Sequence, residues 1–531
     1  REAGFNADSR VYQIEEKVIR AKGCNTQCPR DAKMGCAYVN AVVAEHVGRA
    51  HVMLSYTWRY TVGDIVDALS LHCERQSLNP ECVFVWICCL CINQHRVQEA
   101  KQEGRTISFK QFAKEFGNRV KDIGHVLALV EPWQDPRYVT RVWCIYELYT
   151  AMTMSGGCKV EVIMPPRESK SLMSALTGSG TDTLFDALSR IQVQKAEASV
   201  PNDKEHIMRL IQQGPGFGRV NREVINRLRL WAAEAAEDQL AQFAHGSSNS
   251  MAKACTSVAS MFREFGLLDR AEELLERGRR SCEDLRSVTY AELLRQAGII
   301  KDKRNDPDGA YAKYDEAARI LRDAGALGTV DEANLLFSSG ATVNLFGEPS
   351  DALVSLTKAH EIYKATNTLQ NRNGAALLMF LGRVQRSLGD RTSAMTSLLH
   401  AIEIHDSCST LATPDAAAVQ GDIGDLYMDD EKISDALQRY TEAQFIHEST
   451  GNLETLMGAS LLHRKGVAME KDENPRGAYT SIAQAQKIAA KVGSPGNWLN
   501  AECLRDMERL EGKVGKTHVR ARGHTRGQSQ D

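Results

Sequence analysis

The sequence predicts a multidomain protein, with an N-terminal α/β domain built on a parallel sheet and a C-terminal all-α superhelical solenoid. Two patterns predict it. Small residues recur at a 42-residue period through residues 251–511, and short apolar runs alternate with helical segments between His51 and Met164. A chain of 531 residues is also too long for one hydrophobic core.

The period is read directly from the residues. Gly298, Gly340, Gly382, Gly424 and Gly466 are each 42 apart, and twelve residues after them come Ala310, Ala352, Ala394, Ala436 and Ala478. Seven further on stand Ala317, Ala359, Ala401, Ala443 and Ala485, and three beyond those Ile320, Ile362, Ile404, Ile446 and Ile488. Ala259, Ala271 and Gly278 form an imperfect earlier copy, with a 39-residue step to the next unit. Steps of seven and three trace one face of a helix, and small residues on it let neighbouring helices approach closely. Each unit is therefore two antiparallel helices, broken at Pro307, at Gly347 with Pro349, at Gly389 with Asp390, and at Pro475. A lone unit cannot bury its apolar face, so the units stack and leave a concave groove lined by the first helices. The pattern resembles tetratricopeptide repeats (TPR), and its period resembles the variant of kinesin light chains. That resemblance implies about six units over 251–511 and protein or peptide partners in the groove.

The first half has a different texture. Apolar runs at His51–Tyr56, Cys82–Ile92, His125–Val130 and Lys159–Met164 read as strands, the second fully buried. Amphipathic stretches at Asp64–His72, Phe109–Val120 and Val142–Met154 read as the helices between them. Alternation of this kind gives a parallel sheet covered on both faces, with ligands bound beyond the carboxyl ends of the strands. The domain is placed at 48–165, after an extension at 1–47. Residues 166–184, rich in Ser, Thr and Gly, read as a linker, and a helical connector runs on to 250. Residues 512–531, with Lys513, Lys516, Arg520, Arg522 and Arg526, read as a basic disordered tail.

Three motifs fall at the strand ends: Leu54-Ser-Tyr-Thr-Trp58, Cys91-Ile-Asn-Gln94, and Arg141-Val-Trp-Cys-Ile-Tyr-Glu147-Leu148. They resemble fungal heterokaryon-incompatibility domains, and Trp143 to Leu148 is similar to the glutamate-bearing helix of plant TIR (Toll/interleukin-receptor) domains. The domain is identified as a TIR-like member of that superfamily, with flavodoxin-like layering. It departs from the family pattern at Arg59, where incompatibility domains have Gly, and at Tyr146, where they have Gln. Arg59-Tyr-Thr-Val also replaces the acidic stretch of the plant domains. The resemblance implies NAD as a substrate, cleaved at the nicotinamide glycosidic bond with no required cofactor. Glu147 then stabilises an oxocarbenium-like ribose, while Ser55, Tyr56, Trp58, Asn93 and Trp143 line the nucleotide. It also implies homo-oligomer formation through this domain. Without the motif, Glu147 reads as a solvated helix residue, Trp143 and Tyr146 as packing residues, and Ser55 as a turn cap.

Other signals are bland. Cys24, Cys28 and Cys36 with His46 lack a close Cys-x-x-Cys pair, so no metal site is expected. Cys88, Cys89 and Cys91 read as core thiols. Gly214-Pro-Gly-Phe-Gly218 is a loop, because no Lys-Ser/Thr follows it. A net charge of −3 gives no general pull toward nucleic acid or membrane, and no apolar run is long enough to span a bilayer. Fourteen scattered cysteines without a disulfide framework fit a reducing, cytoplasmic interior. The first residue is Arg1, which leaves room for a preceding targeting segment. Two functions follow as expectations: a signalling scaffold that binds proteins at both ends, or an NAD-cleaving enzyme regulated by its repeat.

Overall fold

The computed structural model describes residues 4–104, 109–154, 157–178, 180–198, 201–241, 248–408, 410–492 and 498–524. It divides into two compact units, Arg1–Ala241 and Gln242–Asp531.

The first unit is built on four parallel strands: β1 (Val52–Ser55), β2 (Val85–Ile87), β3 (His125–Leu129) and β4 (Lys159–Ile163). Their order across the sheet is β2-β1-β3-β4. Leu54 pairs with Ile87 on one side and Leu127 on the other. Parallel neighbours require crossovers, and helices Val62–Arg75, Phe109–Ile123 and Val142–Thr153 supply them. Thr61 starts the first of these by accepting a hydrogen bond from the Asp64 N–H. From β1 the chain passes outward to β2, then returns past β1 to β3. The connection therefore reverses direction between β1 and β3, and the crevice beyond their carboxyl ends is where such sheets hold ligands.

Three segments differ from the sequence reading. The apolar run Cys82–Ile92 is not one buried strand: β2 holds three half-buried residues, and Cys88–Cys91 is a short helical turn. Among the described residues β2 is an edge strand paired only with β1, and an apolar run alone does not distinguish a strand from a buried turn. Cys89 is still a core thiol, packed with Leu54 and Ile65. Residues read as a linker form helices Pro166–Gly178 and Asp182–Ser189. Leu172, Met173 and Leu176 are buried at helical spacing, which outweighs the Ser/Thr composition. The Glu168 carboxylate accepts the Trp133 N–H at 2.9 Å and ties the first of these helices to the sheet. Near the N-terminus, helical residues 11–23 bury Val11 and Ile19 in the core of the sheet. Helix Phe217–Leu240 packs on Pro166–Gly178 and β4.

The second unit forms six helical hairpins and a final helix among the described residues. The hairpins are Ser248–Glu264 with Leu268–Arg280, Val288–Lys303 with Pro307–Asp323, Val330–Phe346 with Pro349–Ala365, Arg372–Ser387 with Arg391–Ser407, Pro414–Asp429 with Ile433–Ser449, and Leu456–Lys471 with Pro475–Val492. The repeated glycine sits at each crossing. A Cβ on Gly298, Gly340, Gly382, Gly424 or Gly466 would meet Tyr314, Leu356, Leu398, Tyr440 or Ile482 at 2.4–2.9 Å. Each of those partners lies sixteen residues after its glycine. All ten repeat alanines are fully buried, and the isoleucines close the same face, with Ile446 half-buried. Asp306 and Asp390 cap their helices at Gly309 and Ser393. The turn residue takes a left-handed conformation at Asn305, Gly389, Glu431 and Glu473.

First helices of successive units touch one another, as Val288–Lys303 touches Val330–Phe346, and Pro414–Asp429 touches Leu456–Lys471. This side of the stack is the more closely spaced, so it is the inner side of the curve. The stack closes with helix Trp498–His524, which packs on Pro475–Val492. The sequence read its second half as a structureless tail. Lys513 instead pairs with Glu470 at 2.7 Å; Arg526, with the rest of 525–531, lies outside the described residues. No helix of the described residues is long and apolar enough to cross a membrane.

Gly424→Val places a branched side chain against Tyr440, whose hydroxyl is held by Asp425 at 2.6 Å and cannot give way. Overpacking of this kind costs about 1–3 kcal/mol. Gly512 has open space around its Cβ position, so Gly512→Ala is expected to gain up to about 1 kcal/mol from helix propensity. Denaturant melts followed by far-UV circular dichroism measure both. Equal effects at the two sites would remove the packing role assigned to the repeated glycine.

Candidate functional site

Among the described residues two places bear on the sequence reading: the carboxyl end of the sheet and the inner face of the helical repeat.

At the sheet, Ser55 is the last residue of β1 and is fully buried. Its Oγ lies 2.8 Å from the Tyr138 hydroxyl, which donates to the Cys144 carbonyl at 3.0 Å. Tyr60 makes a second tie. Its hydroxyl donates to the Glu131 carbonyl and accepts the Glu131 N–H, both at 3.0 Å. The loops after β1 and β3 are thus fixed to each other by two buried tyrosines. Helix Val142–Thr153 then lays Ile145 and Leu148 into the core and carries Glu147 inward with them. Glu147 is only 7% exposed. It is not the solvated residue that an amphipathic helix suggests, because this helix is buried around most of its circumference. Burial pushes the Glu147 carboxyl up to about 8, while the Ser55 hydroxyl and the Arg141 charge pull the other way. One of its oxygens has no hydrogen-bond partner among the described residues.

The remaining residues singled out in the sequence separate into two groups. Tyr56 is buried and accepts a hydrogen bond from the Cys88 thiol at 3.6 Å. Burial raises the Cys88 thiol to about 11, and Trp58 is half-buried beside it. Ser55, Tyr56, Trp58 and Glu147 therefore belong to one neighbourhood. Asn93 is occupied elsewhere: it caps helix Gln94–Gln102 through the His95 N–H and donates to the Gly35 carbonyl at 3.0 Å. Trp143 is set edge-on to Tyr146, with ring centroids 5.7 Å apart. Among the described residues no cluster of His, Cys, Asp and Glu has the arrangement of a metal site.

On the inner face of the repeat, charged side chains from successive first helices join in a chain. The Arg383 Nε donates to Asp422 at 2.6 Å, and Arg386 holds Asp429 through two parallel bonds of 2.5 and 3.0 Å while reaching Asp425 at 3.1 Å. Arg464, one unit further on, pairs with Asp425 at 3.0 Å and Asp422 at 3.5 Å. His463 meets Asp506 at 2.8 Å. At the other end, Arg372 bridges Asp415 and Glu264, and Arg263 donates to Gln296 at 3.1 Å. Paired hydrogen bonds of this type are directional as well as strong, so they set how far each unit tilts on the next. The arginine beside it holds the Asp429 carboxyl below the usual carboxylate range. Phe337 and Phe380 pack edge-on at 5.8 Å within the same series of helices. The repeat register located the helices in the sequence, but not this network. Its partners lie 33, 39, 42, 43 or 108 residues apart and differ in type from unit to unit.

No protein-family model matches the chain, and no curated protein matches it. Solved structures of TPR proteins do. A signal-transduction ATPase with a TPR sensor from Pyrococcus horikoshii is 14% identical over 67% of this chain and 52% of its own, with a TM-score of 0.39. The nearly identical TPR-like repeats of a kinesin light chain from Podosopora anserina are 17% identical over 40% of this chain and 98% of theirs, with a TM-score of 0.32. The Pseudomonas aeruginosa protein pilF is 15% identical over 49% and 99%, with a TM-score of 0.35. The repeat in this chain is defined by the register of its own helices, not by these likenesses.

The Glu147 carboxyl makes a pH-dependent contribution whose sign can be worked out. The folded state holds its proton up to about pH 8, while an unfolded glutamate releases it near 4.5. Between those values the unfolded chain binds fewer protons, so stability falls as pH rises, by at most about 1.4 kcal/mol per unit. Glu147→Gln has no proton to lose. Its stability relative to the parent is expected to rise from pH 5 to pH 8, by roughly 1–3 kcal/mol in all. Tryptophan fluorescence during urea melts measures it, since five of the six tryptophans lie in the Arg1–Ala241 unit. A pH-independent difference would mean that Glu147 is ionised in the folded protein.

Proposed function

We propose that the chain is a scaffold that binds partner proteins, and that its second unit is a TPR-type solenoid taking an extended or helical peptide on its inner face. One observation carries the reading. Six stacked hairpins present a continuous first-helix face, and on the helices Arg372–Ser387, Pro414–Asp429 and Leu456–Lys471 it carries interlocked arginine and aspartate side chains. Grooves of this kind bind through backbone-spaced polar contacts and a few apolar pockets. Fourteen cysteines, all free, fit a reducing cytoplasmic setting.

The second reading is cleavage of NAD by Glu147 in a TIR-like domain. That chemistry asks for an ionised carboxylate in contact with a ribose. Glu147 is buried, its carboxyl is raised to about 8, and it does not line the open cavity at the strand ends. These facts favour the scaffold.

Peptides selected from a display library on the immobilised full chain provide the test. Arg383→Glu with Arg386→Glu should weaken them at least about tenfold, since reversing two half-buried charges sets like charges against each other at the contact surface. Arg319→Glu with Lys364→Glu, on exposed positions of the second helices, should leave binding within about twofold. Equal losses from both pairs would place the binding surface elsewhere.

A further inference from the structure

The direction of the chain reverses between β1 and β3, and beyond their carboxyl ends lies an open cavity of about 580 Å³. Among the described residues six line it: Arg10, Tyr12, Trp58, Arg59, Arg137 and Arg141. Four of the six are arginines and none is acidic. Among the described residues none of these four guanidiniums forms an ion pair. Elsewhere in the unit arginines are paired: Arg96 with Asp31, Arg75 with Asp238, and Arg167 with Asp64 and Glu131. A guanidinium never loses its charge at physiological pH, so four of them around one cavity repel one another until an anion is present.

The fold holds them there. Arg59 follows β1, while Arg137 and Arg141 follow β3, on loops joined by the Tyr60 and Tyr138 hydrogen bonds. The N-terminal segment docks on the same loop: Val11 and Tyr12 donate their N–H groups to the Tyr60 and Trp58 carbonyls, both at 3.2 Å, and Val62 donates to Ser9 at 3.0 Å. That docking brings Arg10 and Tyr12 to the cavity. Arg141 is fixed by backbone pairing of its neighbours with Glu197, at 2.9 and 3.1 Å. It is also the residue that precedes helix Val142–Thr153, whose first turn adds partial positive charge to the same wall. The walls are therefore set before any ligand arrives, and the volume is that of a small-molecule site.

We propose that this cavity binds a nucleotide through its di- or triphosphate chain, the arginines holding the phosphates and Trp58 or Tyr12 packing on the base. Arginine forks match phosphate oxygens two at a time, and two aromatic side chains at the rim supply flat faces for a base. A concave site with four cations suits a compact polyanion better than an extended nucleic-acid strand, and the chain as a whole carries net charge −3. The inference concerns the first unit alone and stands apart from peptide binding by the repeat.

Titration of the full chain with ATP, inorganic tripolyphosphate, adenosine and a single-stranded oligonucleotide, followed by calorimetry and tryptophan quenching, tests it. ATP is expected to bind tightest, tripolyphosphate about tenfold more weakly, and adenosine not measurably. Arg59→Gln with Arg137→Gln should weaken ATP and tripolyphosphate together, by about a hundredfold. Both residues are exposed and have no ion pair among the described residues, so folding should be retained, as checked by the thermal melt. Tyr12→Ser with Trp58→Phe should weaken ATP alone. Arg319→Gln, in the repeat, should change nothing. The proposal is overturned if neither phosphate compound binds at millimolar concentration, if the arginine pair can be replaced without loss, or if the oligonucleotide binds more tightly than ATP.

Discussion

Two helices of a hairpin pack most closely where one of them presents no side chain, or only a methyl group, at the crossing. In this chain that condition is met at Gly298, Gly340, Gly382, Gly424 and Gly466, and much of the second unit depends on it. The residue sixteen positions later fills the space each glycine leaves, and it changes freely between Tyr, Leu and Ile. With the crossing fixed, the alanines twelve and nineteen residues after the glycine fall into the core and the turn falls at one place. Each first helix then lies against the next. The ion pairs of the inner face are a second layer on this frame, since Arg386 can reach Asp425 and Asp429 only if neighbouring first helices are a constant distance apart.

The first unit depends on a different constraint. A small parallel sheet must bring its polar loops together at one end, and here the loops after β1 and β3 are tied by the hydroxyls of Tyr60 and Tyr138. The tie has electrostatic consequences of opposite kinds. Glu147 is drawn into the dry interior, where it keeps its proton. Arg59, Arg137 and Arg141 are left at the mouth, where they keep their charge.

The period of the repeat was legible in the sequence because small residues are required at every crossing. The alternation of strands and helices was legible for the same reason: β1 and β3 are buried on both faces and read as unbroken apolar runs. The edge strand was not legible, because Cys82–Ile92 is apolar throughout and only its neighbours decide that it turns after Ile87. Helix Pro166–Gly178 was missed because Ser, Thr and Gly obscured three buried residues at helical spacing. The sequence brought Ser55 and Glu147 together through a motif, but it did not show the glutamate buried. Arg10 and Arg137 carried no local signal, as 127 residues separate them and only the strand order makes them neighbours. The one available hint was the rule that ligands sit where strand order reverses, and that rule needs the order first.

Because the glycine and its partner lie within a single hairpin, each unit carries its own fit. A whole 42-residue unit could be duplicated between Ser407 and Pro414 without moving any glycine relative to the residue it accommodates. A single residue gained or lost inside either helix between Gly382 and Leu398 would shift that fit by about 100° around the helix. Change in the length of this repeat is therefore quantised. The groove can lengthen or shorten in steps of one hairpin, and only the connection between hairpins is free to change, as the 39-residue step before Gly298 shows.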